Sequence, residues 1–203
     1  LNNNKNLKNF IIINVDNGLT TVSLYEESSL VFFKTFSFGS NSIYEDITQL
    51  CSLKKEEIES IISDLNFNNV DENKSKYLDK KFFTKSDFKK LTVEHIKDII
   101  DARIEEIVNY TFNKNKNLEY INQQISKVYL FFEDKCICKN LENLFIKSIN
   151  IDSNKVLMEP LTQDDFRSLS GAAELIVKGW HKEAIPFSNK KKSIISGFFE
   201  RFF

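Results

Sequence analysis

The first forty residues alternate between short apolar runs and short polar links, a pattern typical of β-strands joined by turns. Three runs rich in Ile, Val, Phe and Thr cover residues 10–15, 20–25 and 30–38. The links contain Asp16-Asn17-Gly18 and Glu27-Ser28-Ser29, which have the residue types of tight turns. We therefore expect a three-stranded meander.

Helical spacing of apolar residues replaces this alternation after residue 40. Ile43, Ile47 and Leu50 predict a first helix, and residues 56–62 predict a second. Residues 63–90 are polar, charged and irregular, so we expect a small insertion there that contains short strands.

The most regular helical pattern starts after Thr92, a residue type that caps helix N-termini, and continues to Phe112. The remaining chain predicts a strand, a helix, a second strand and a last core helix, at residues 128–132, 141–149, 155–158 and 162–180. This order of elements predicts an α/β fold.

Composition narrows the class of protein. The 203 residues are 41% hydrophobic, which is enough to fill a core and excludes disorder of the whole chain. The 28 Lys and Arg against 29 Asp and Glu remove the broad positive field of nucleic-acid binders, so we expect no nucleic-acid partner. The sequence shows neither a secretory signal at residues 1–9 nor a bilayer-spanning run, and its start at Leu1 suggests the C-terminal part of a longer protein.

The cysteines and histidines, which often act as catalytic residues or metal ligands, have no suitable partner residues near them in the sequence. Cys51, Cys136 and Cys138 form an odd set without a nearby histidine, which favours free cytosolic thiols over a zinc site. Neither His95 nor His181 has an evident Ser, Cys or carboxylate constellation. The sequence predicts no catalytic residue and no metal ligand.

The first predicted hairpin turn is a candidate anion site. In Val15-Asp16-Asn17-Gly18-Leu19-Thr20-Thr21, a glycine permits close approach to backbone N–H groups and the two hydroxyls add donors, so a phosphate could meet the turn. An ordinary Asx-type hairpin turn explains the same residues.

The segment that follows the third strand is more specific. Gly39-Ser40-Asn41 precedes Ile43-x-x-Asp46-Ile47, and in this arrangement the chain resembles the second half of FtsA, the bacterial actin-like cell-division family. Residues 101–107 are similar to that family's arginine-bearing helix, and the likeness covers residues 10–203 except for a poor match at 63–90.

The resemblance implies an actin-like (RNase H-like) lobe: a mixed sheet flanked by helices, an inserted small α/β subdomain and a C-terminal amphipathic helix. By this likeness residues 1–45 and 106–185 form the core subdomain, 46–105 the inserted subdomain, and 186–203 a linker with the membrane-targeting helix. The positions it places near the nucleotide are Asp16, Gly18, Thr20, Thr21, Gly39 and Glu59.

Two departures from the family pattern weaken the implied ATP site. Leu19 replaces a glycine of the phosphate loop, and Glu133-Asp134 replaces a later Gly-Gly turn. One like charge about 4 Å from a polyphosphate is worth roughly 4 kcal/mol at an effective dielectric near 20. ATP remains the cofactor implied by the resemblance, with both loops degraded and the ATPase activity weak or lost.

The C-terminus carries a complete separation of apolar and polar faces on a helical wheel. Lys190, Lys191 and Lys192 precede it, and its apolar face consists of Ile194, Ile195, Phe198, Phe199, Phe202 and Phe203. Lysines beside the apolar face of a helix are typical of an amphipathic helix that anchors a protein at the surface of a membrane with anionic lipids. A terminal helix packed on the protein's own core is the other interpretation.

The resemblance implies a scaffold that tethers filaments of FtsZ, through its C-terminal tail, to the cytoplasmic face of the inner membrane at the division site. It also implies self-association into filaments and recruitment of other division proteins. Arg103 would contact FtsZ or a neighbouring subunit, although a solvated helix face is the simplest explanation of its position. An actin-like ATPase of another membrane machine, such as pilus assembly or cell-shape control, is the alternative function.

Overall fold

A computed structural model describes residues 9–27, 29–65, 67, 76–118 and 124–161. Within these ranges, five strands form one mixed sheet in the order β3-β2-β1-β4-β5. Their bounds are β1 Asn9–Val15, β2 Thr20–Glu26, β3 Ser29–Phe36, β4 Lys127–Phe132 and β5 Val156–Pro160. The first three strands are antiparallel neighbours, which confirms the meander, whereas β4 and β5 add in parallel beside β1.

In the described ranges, four α-helices lie between the strands in sequence. Their bounds are α1 Asn41–Cys51, α2 Lys55–Leu65, α3 Val93–Val108 and α4 Lys135–Ser148, and a π-helical turn, Asn109–Asn113, extends α3. Thr92 caps α3 as predicted, because its side chain accepts a hydrogen bond from the amide of His95. The expected start of α4 near residue 141 was wrong: Asp134 accepts from the amide of Ile137 at 2.9 Å and begins the helix before the first clear apolar repeat.

The core lies between one face of the sheet and the helices. Alternate residues of β1, namely Ile11, Ile13 and Val15, are almost fully buried, and the residues between them are only partly so. Val22, Leu24, Val128 and Leu130 continue this buried face on β2 and β4, and they join one cluster with the apolar stripes of the helices.

The described part of the insertion between α2 and α3 differs from expectation, while residues 66 and 68–75 lie outside the described residues. Among its described residues we find a 3₁₀ turn, Lys80–Phe82, and a single bridge between Tyr77 and Thr92, instead of short strands. The Glu57 carboxylate accepts hydrogen bonds from the amides of Lys85 and Ser86, so these two amides are satisfied without a strand partner.

The proposed boundaries at 45/46 and 105/106 fall inside α1 and α3, and the division into subdomains stays a prediction. The predicted core helix at 162–180 and the C-terminal amphipathic helix lie outside the described residues. None of the helices in the described ranges combines the length and the apolar character needed to cross a bilayer.

Candidate functional site at the first hairpin turn

The turn between β1 and β2 is docked on the start of α1. The amide of Asp16 donates to the carbonyl of Leu19 at 2.9 Å and closes the turn. The amides of Ser40 and Asn41 then donate to the carbonyls of Asp16 and Asn17, both at 2.9 Å. A helix start leaves N–H groups without intrahelical partners, and here the turn carbonyls bind two of them in place of a side-chain cap.

Gly39 makes this docking possible. A Cβ atom at this position would lie 2.2 Å from the carbonyl oxygen of Asp16 and 2.8 Å from the backbone of Asn17. Thr20, which is fully buried, adds a hydrogen bond of 2.8 Å from its hydroxyl to the carbonyl of Phe38. The segment that carried the family resemblance is thus the segment that holds the turn.

The two predicted threonines do not act together. Successive strand residues point to opposite faces of a sheet, so only Thr20 faces the segment before α1. Thr21 instead accepts a hydrogen bond of 3.4 Å from the side chain of Asn14, its cross-strand neighbour. Four of the predicted nucleotide positions lie together where the first hairpin turn meets the start of α1, a place we call the corner. They are Asp16, Gly18, Thr20 and Gly39.

Glu133 follows β4 and reaches the same corner because β4 runs parallel to β1, with Phe132 beside Val15. Its amide donates to the carbonyl of Val15 at 3.1 Å, and its carboxylate accepts from the amide of Asn17 at 3.0 Å. Partial burial and the nearby Glu133 carboxylate together raise the pKa of Asp16.

Asp134 has a different role from its neighbour. One of its oxygens caps α4, and the other accepts a hydrogen bond of 2.9 Å from the phenol of Tyr44 on α1. Burial, followed by the adjacent Asp134 carboxylate, raises the pKa of Tyr44 well above its usual range. Asp134 therefore joins α1 to α4.

Glu59 lies on α2, beside the start of α4. Its carboxylate is 4.0 Å from the ammonium of Lys55, and its carbonyl accepts a weak hydrogen bond from the thiol of Cys136. Lys55 also donates to the side chain of Asn41 at 3.2 Å and lies 4.8 Å above the ring of Tyr44. Glu59 thus belongs to a helix cluster next to the turn.

Sequence reasoning missed Ser40, Asn41, Tyr44 and Lys55 as parts of this corner. The single hydroxyl proton of Ser40 is shared between the carbonyl oxygen of Asp16 at 3.3 Å and the side-chain oxygen of Asn17 at 3.4 Å, and these contacts join residues more than twenty positions apart. The motif around residues 39–47 contained three of the four missed residues, but only the fold shows what they bind.

Arg103 is engaged within the chain. Its guanidinium binds Asp46 on α1 through two nitrogens and Glu106 through a third, and about a quarter of its side chain is exposed. The polar face of α3 is therefore more than a solvated surface at this position. A contact between Arg103 and another protein stays a prediction.

The charge at the corner is mostly negative. Asp16 and Glu133 lie together at the turn, whereas Asp134 and Glu59 lie near Tyr44 in the adjoining helix cluster, where Lys55 pairs with Glu59. In the described part of the chain, no group of three or more His, Cys, Asp or Glu residues is arranged to hold a metal ion. The arrangement is suited to joining strands and helices through hydrogen bonds.

The fold is actin-like. MreB5 of Spiroplasma citri bound to ADP has a TM-score of 0.51 and 12% identity, covering 88% of this chain and 58% of that one. Lower scores relate it to the ethanolamine utilization protein EutJ from Carboxydothermus hydrogenoformans (TM-score 0.47, 13% identity, 74% and 43% covered). They also relate it to the PilM-PilN type IV pilus biogenesis complex (TM-score 0.44, 11% identity, 77% and 36% covered).

These similarities are at the level of the fold. No protein-family model and no curated protein sequence matches the chain. The chain spans between 36% and 58% of the length of the three matched structures. In the described residues, the mixed five-stranded sheet flanked by helices is an actin-like fold.

Proposed function

We propose that this chain is one lobe of an actin-like scaffold that recruits partner proteins to the cytoplasmic face of a bacterial membrane, in the manner of FtsA. The partner is the C-terminal tail of FtsZ at the division site, with further division proteins and neighbouring copies of the scaffold as additional partners. In this proposal the protein couples its binding to partner proteins with its binding to the membrane, and it catalyses no chemical reaction.

The observation that carries this proposal is the closed corner at the first turn. Donors that could hold a ligand, namely the hydroxyl of Thr20 and the amides of Ser40 and Asn41, bind main-chain carbonyls of the same lobe. Because these donors are already paired within the chain, the corner is better suited to a structural role than to ATP hydrolysis. The actin-like fold and the motif at residues 39–47 support the assignment to an FtsA-like protein.

The C-terminal sequence supports the membrane half of the proposal. Three consecutive lysines and an apolar face with four phenylalanines give each subunit a modest attraction to anionic lipid, about 1 kcal/mol per lysine plus burial of the apolar face. Several subunits in one filament would bind the membrane together, which multiplies their effective affinity.

Vesicle sedimentation tests the membrane half. We expect Phe198→Glu with Phe199→Glu to release the intact protein from vesicles that contain anionic lipid. Ser193→Glu with Ser196→Glu adds the same charge to the polar face and serves as the matched control. Equal loss in both variants, or unchanged binding of the phenylalanine variant, would contradict the anchor.

A pelleting assay tests the partner. FtsZ filaments should carry the intact protein into the pellet, and FtsZ without its C-terminal tail should not. A fluorescent fusion that gathers along the cell body or at the poles, instead of at mid-cell, would favour the alternative of a pilus-assembly or cell-shape machine.

A further inference from the structure

We propose that the Glu133 carboxylate is a tethered anion that occupies the anion-binding amide of the first hairpin turn and keeps phosphate compounds from binding there. The inference goes beyond the proposed scaffold role, because it concerns what determines the ligand class of this corner. It rests on the contact between the Glu133 carboxylate and the amide of Asn17.

The contact has the form of oxyanion binding by a turn. A backbone N–H that points out of a turn is a donor for phosphate or carboxylate oxygens. In this turn, the amide of Asn17 donates at 3.0 Å to Oε2 of Glu133, a residue that lies 116 positions away in sequence. The carboxylate therefore stands where an oxygen of an external anion would have to lie.

The fold holds the backbone of Glu133 in place beside the first hairpin turn. β4 runs parallel to β1, and the amide of Glu133 donates to the carbonyl of Val15 immediately before the turn. The carboxylate reaches Asn17 from a backbone that is already held in the sheet ladder. Such a tether gives the carboxylate a high effective concentration at the amide.

The surroundings do not fit a polyphosphate. Asp16 lies close enough to Glu133 for the two carboxylates to interact, so an incoming phosphate meets two negative charges. The hydroxyl of Thr20 and the amides of Ser40 and Asn41 already have partners in this lobe. Since Glu133 is exposed to solvent, an external anion would have to displace it rather than enter a sealed cavity.

Glu133→Gln keeps the shape of the side chain but removes its charge, and its neutral amide oxygen accepts from the amide of Asn17 more weakly than the carboxylate does, so an external anion displaces it more easily. We expect the intact wild-type protein to bind ATP and tripolyphosphate weakly in calorimetry, and Glu133→Gln to bind them at least about tenfold more tightly. Glu105→Gln, which removes one carboxylate from the exposed side of α3, is the matched control and should leave both affinities unchanged.

A second measurement needs no variant. In wild-type protein, the NMR amide signal of Asn17 should stay unshifted by millimolar tripolyphosphate. Tight wild-type binding, an Asn17 shift at that concentration, or equal affinities in all three proteins would overturn the proposal. These results are separate from the vesicle and FtsZ assays, so the tethered anion and the scaffold role can fail independently.

Discussion

Arg103 on α3 and Asp46 on α1 form a two-point ion pair, with Nε and Nη2 of the arginine at 2.5 and 2.7 Å from the two carboxylate oxygens. The hydrogen bond to Asp46 raises the pKa of Arg103, so the guanidinium stays charged at every pH the protein meets. Both side chains are about three-quarters shielded from solvent. The pair fixes the crossing of two helices that also share the core.

Loss of this pair should destabilise the fold. Arg103→Ala should lower the free energy of unfolding by about 1 to 2 kcal/mol, because a fork-like, partly buried pair is stronger than a surface salt bridge. Denaturant unfolding measures the change. The reversed pair, Arg103→Asp with Asp46→Arg, should recover part of it.

The same variants separate stability from partner binding. If Arg103 contacts FtsZ or a neighbouring subunit, the reversed pair should remain defective in pelleting with FtsZ or in self-association although its stability improves. Recovery of both properties would assign Arg103 a purely structural role.

Gly39 should tolerate no side chain. The Cβ of Gly39→Ala would lie 2.2 Å from a backbone carbonyl that cannot move without breaking the turn, so we expect a loss of about 2 kcal/mol or more. In Gly18→Ala the new Cβ has no atom within 4 Å, and the change should stay within about 0.5 kcal/mol. Thermal unfolding of the two variants compares them directly, and equal losses would contradict the role of the close approach.

The meander was predicted from runs of β-prone residues separated by turn residues, and α1 and the long helix from helical spacing, because each signal depends only on neighbouring residues. The apolar run of β1 and the repeats at Ile43 and Ile47 are such local signals. α4 was placed too late because its first turn is set by Asp134, a cap that precedes the apolar repeat.

The contacts at the corner could not be predicted, because they join residues that are far apart in the sequence and local sequence patterns do not show such pairs. The family resemblance implied that Glu133 and Asp134 are two charges that would repel a nucleotide. Only the parallel pairing of β4 with β1 shows that Glu133 meets Asn17, and only the packing of α1 near α4 gives Asp134 its bond from Tyr44. Two adjacent acidic residues, Glu133 and Asp134, therefore have different hydrogen-bond partners in the folded protein.

Glu57 should contribute strongly to stability although it is almost fully buried. Its carboxylate accepts hydrogen bonds from the amides of Lys54, Lys85 and Ser86 and from the Ser86 hydroxyl. We expect Glu57→Gln to cost about 2 kcal/mol, because one oxygen becomes a donor that faces other donors. The neighbouring Glu56→Gln, at an exposed pair with Lys85, is the control and should change stability little.

Acid should weaken the same contact. Burial alone would raise the pKa of Glu57, but the hydrogen bonds from Ser86, Lys54 and Lys85 outweigh it and lower the pKa to about 2. Because the folded-state pKa lies below the unfolded value near 4.5, the stabilisation is complete above pH 4.5 and is lost as the pH falls toward 2. Stability of Glu57→Gln should fall less steeply in this window, and parallel curves for the two proteins would contradict the assignment.

The three cysteines should differ in reactivity, with Cys136 alkylated first. Cys51 and Cys138 are buried, and burial raises the pKa of both thiols, that of Cys138 to about 11, so the reactive thiolate form is scarce at both positions at pH 8. Cys136 is only partly buried, on the first turn of α4. Iodoacetamide labelling followed by peptide mass spectrometry should therefore show one fast site, which Cys136→Ser removes, and all three should react at similar rates in denaturant. Early labelling of Cys138 in the folded protein would mean that α4 opens at its N-terminal turn, and with it the cap that Asp134 supplies.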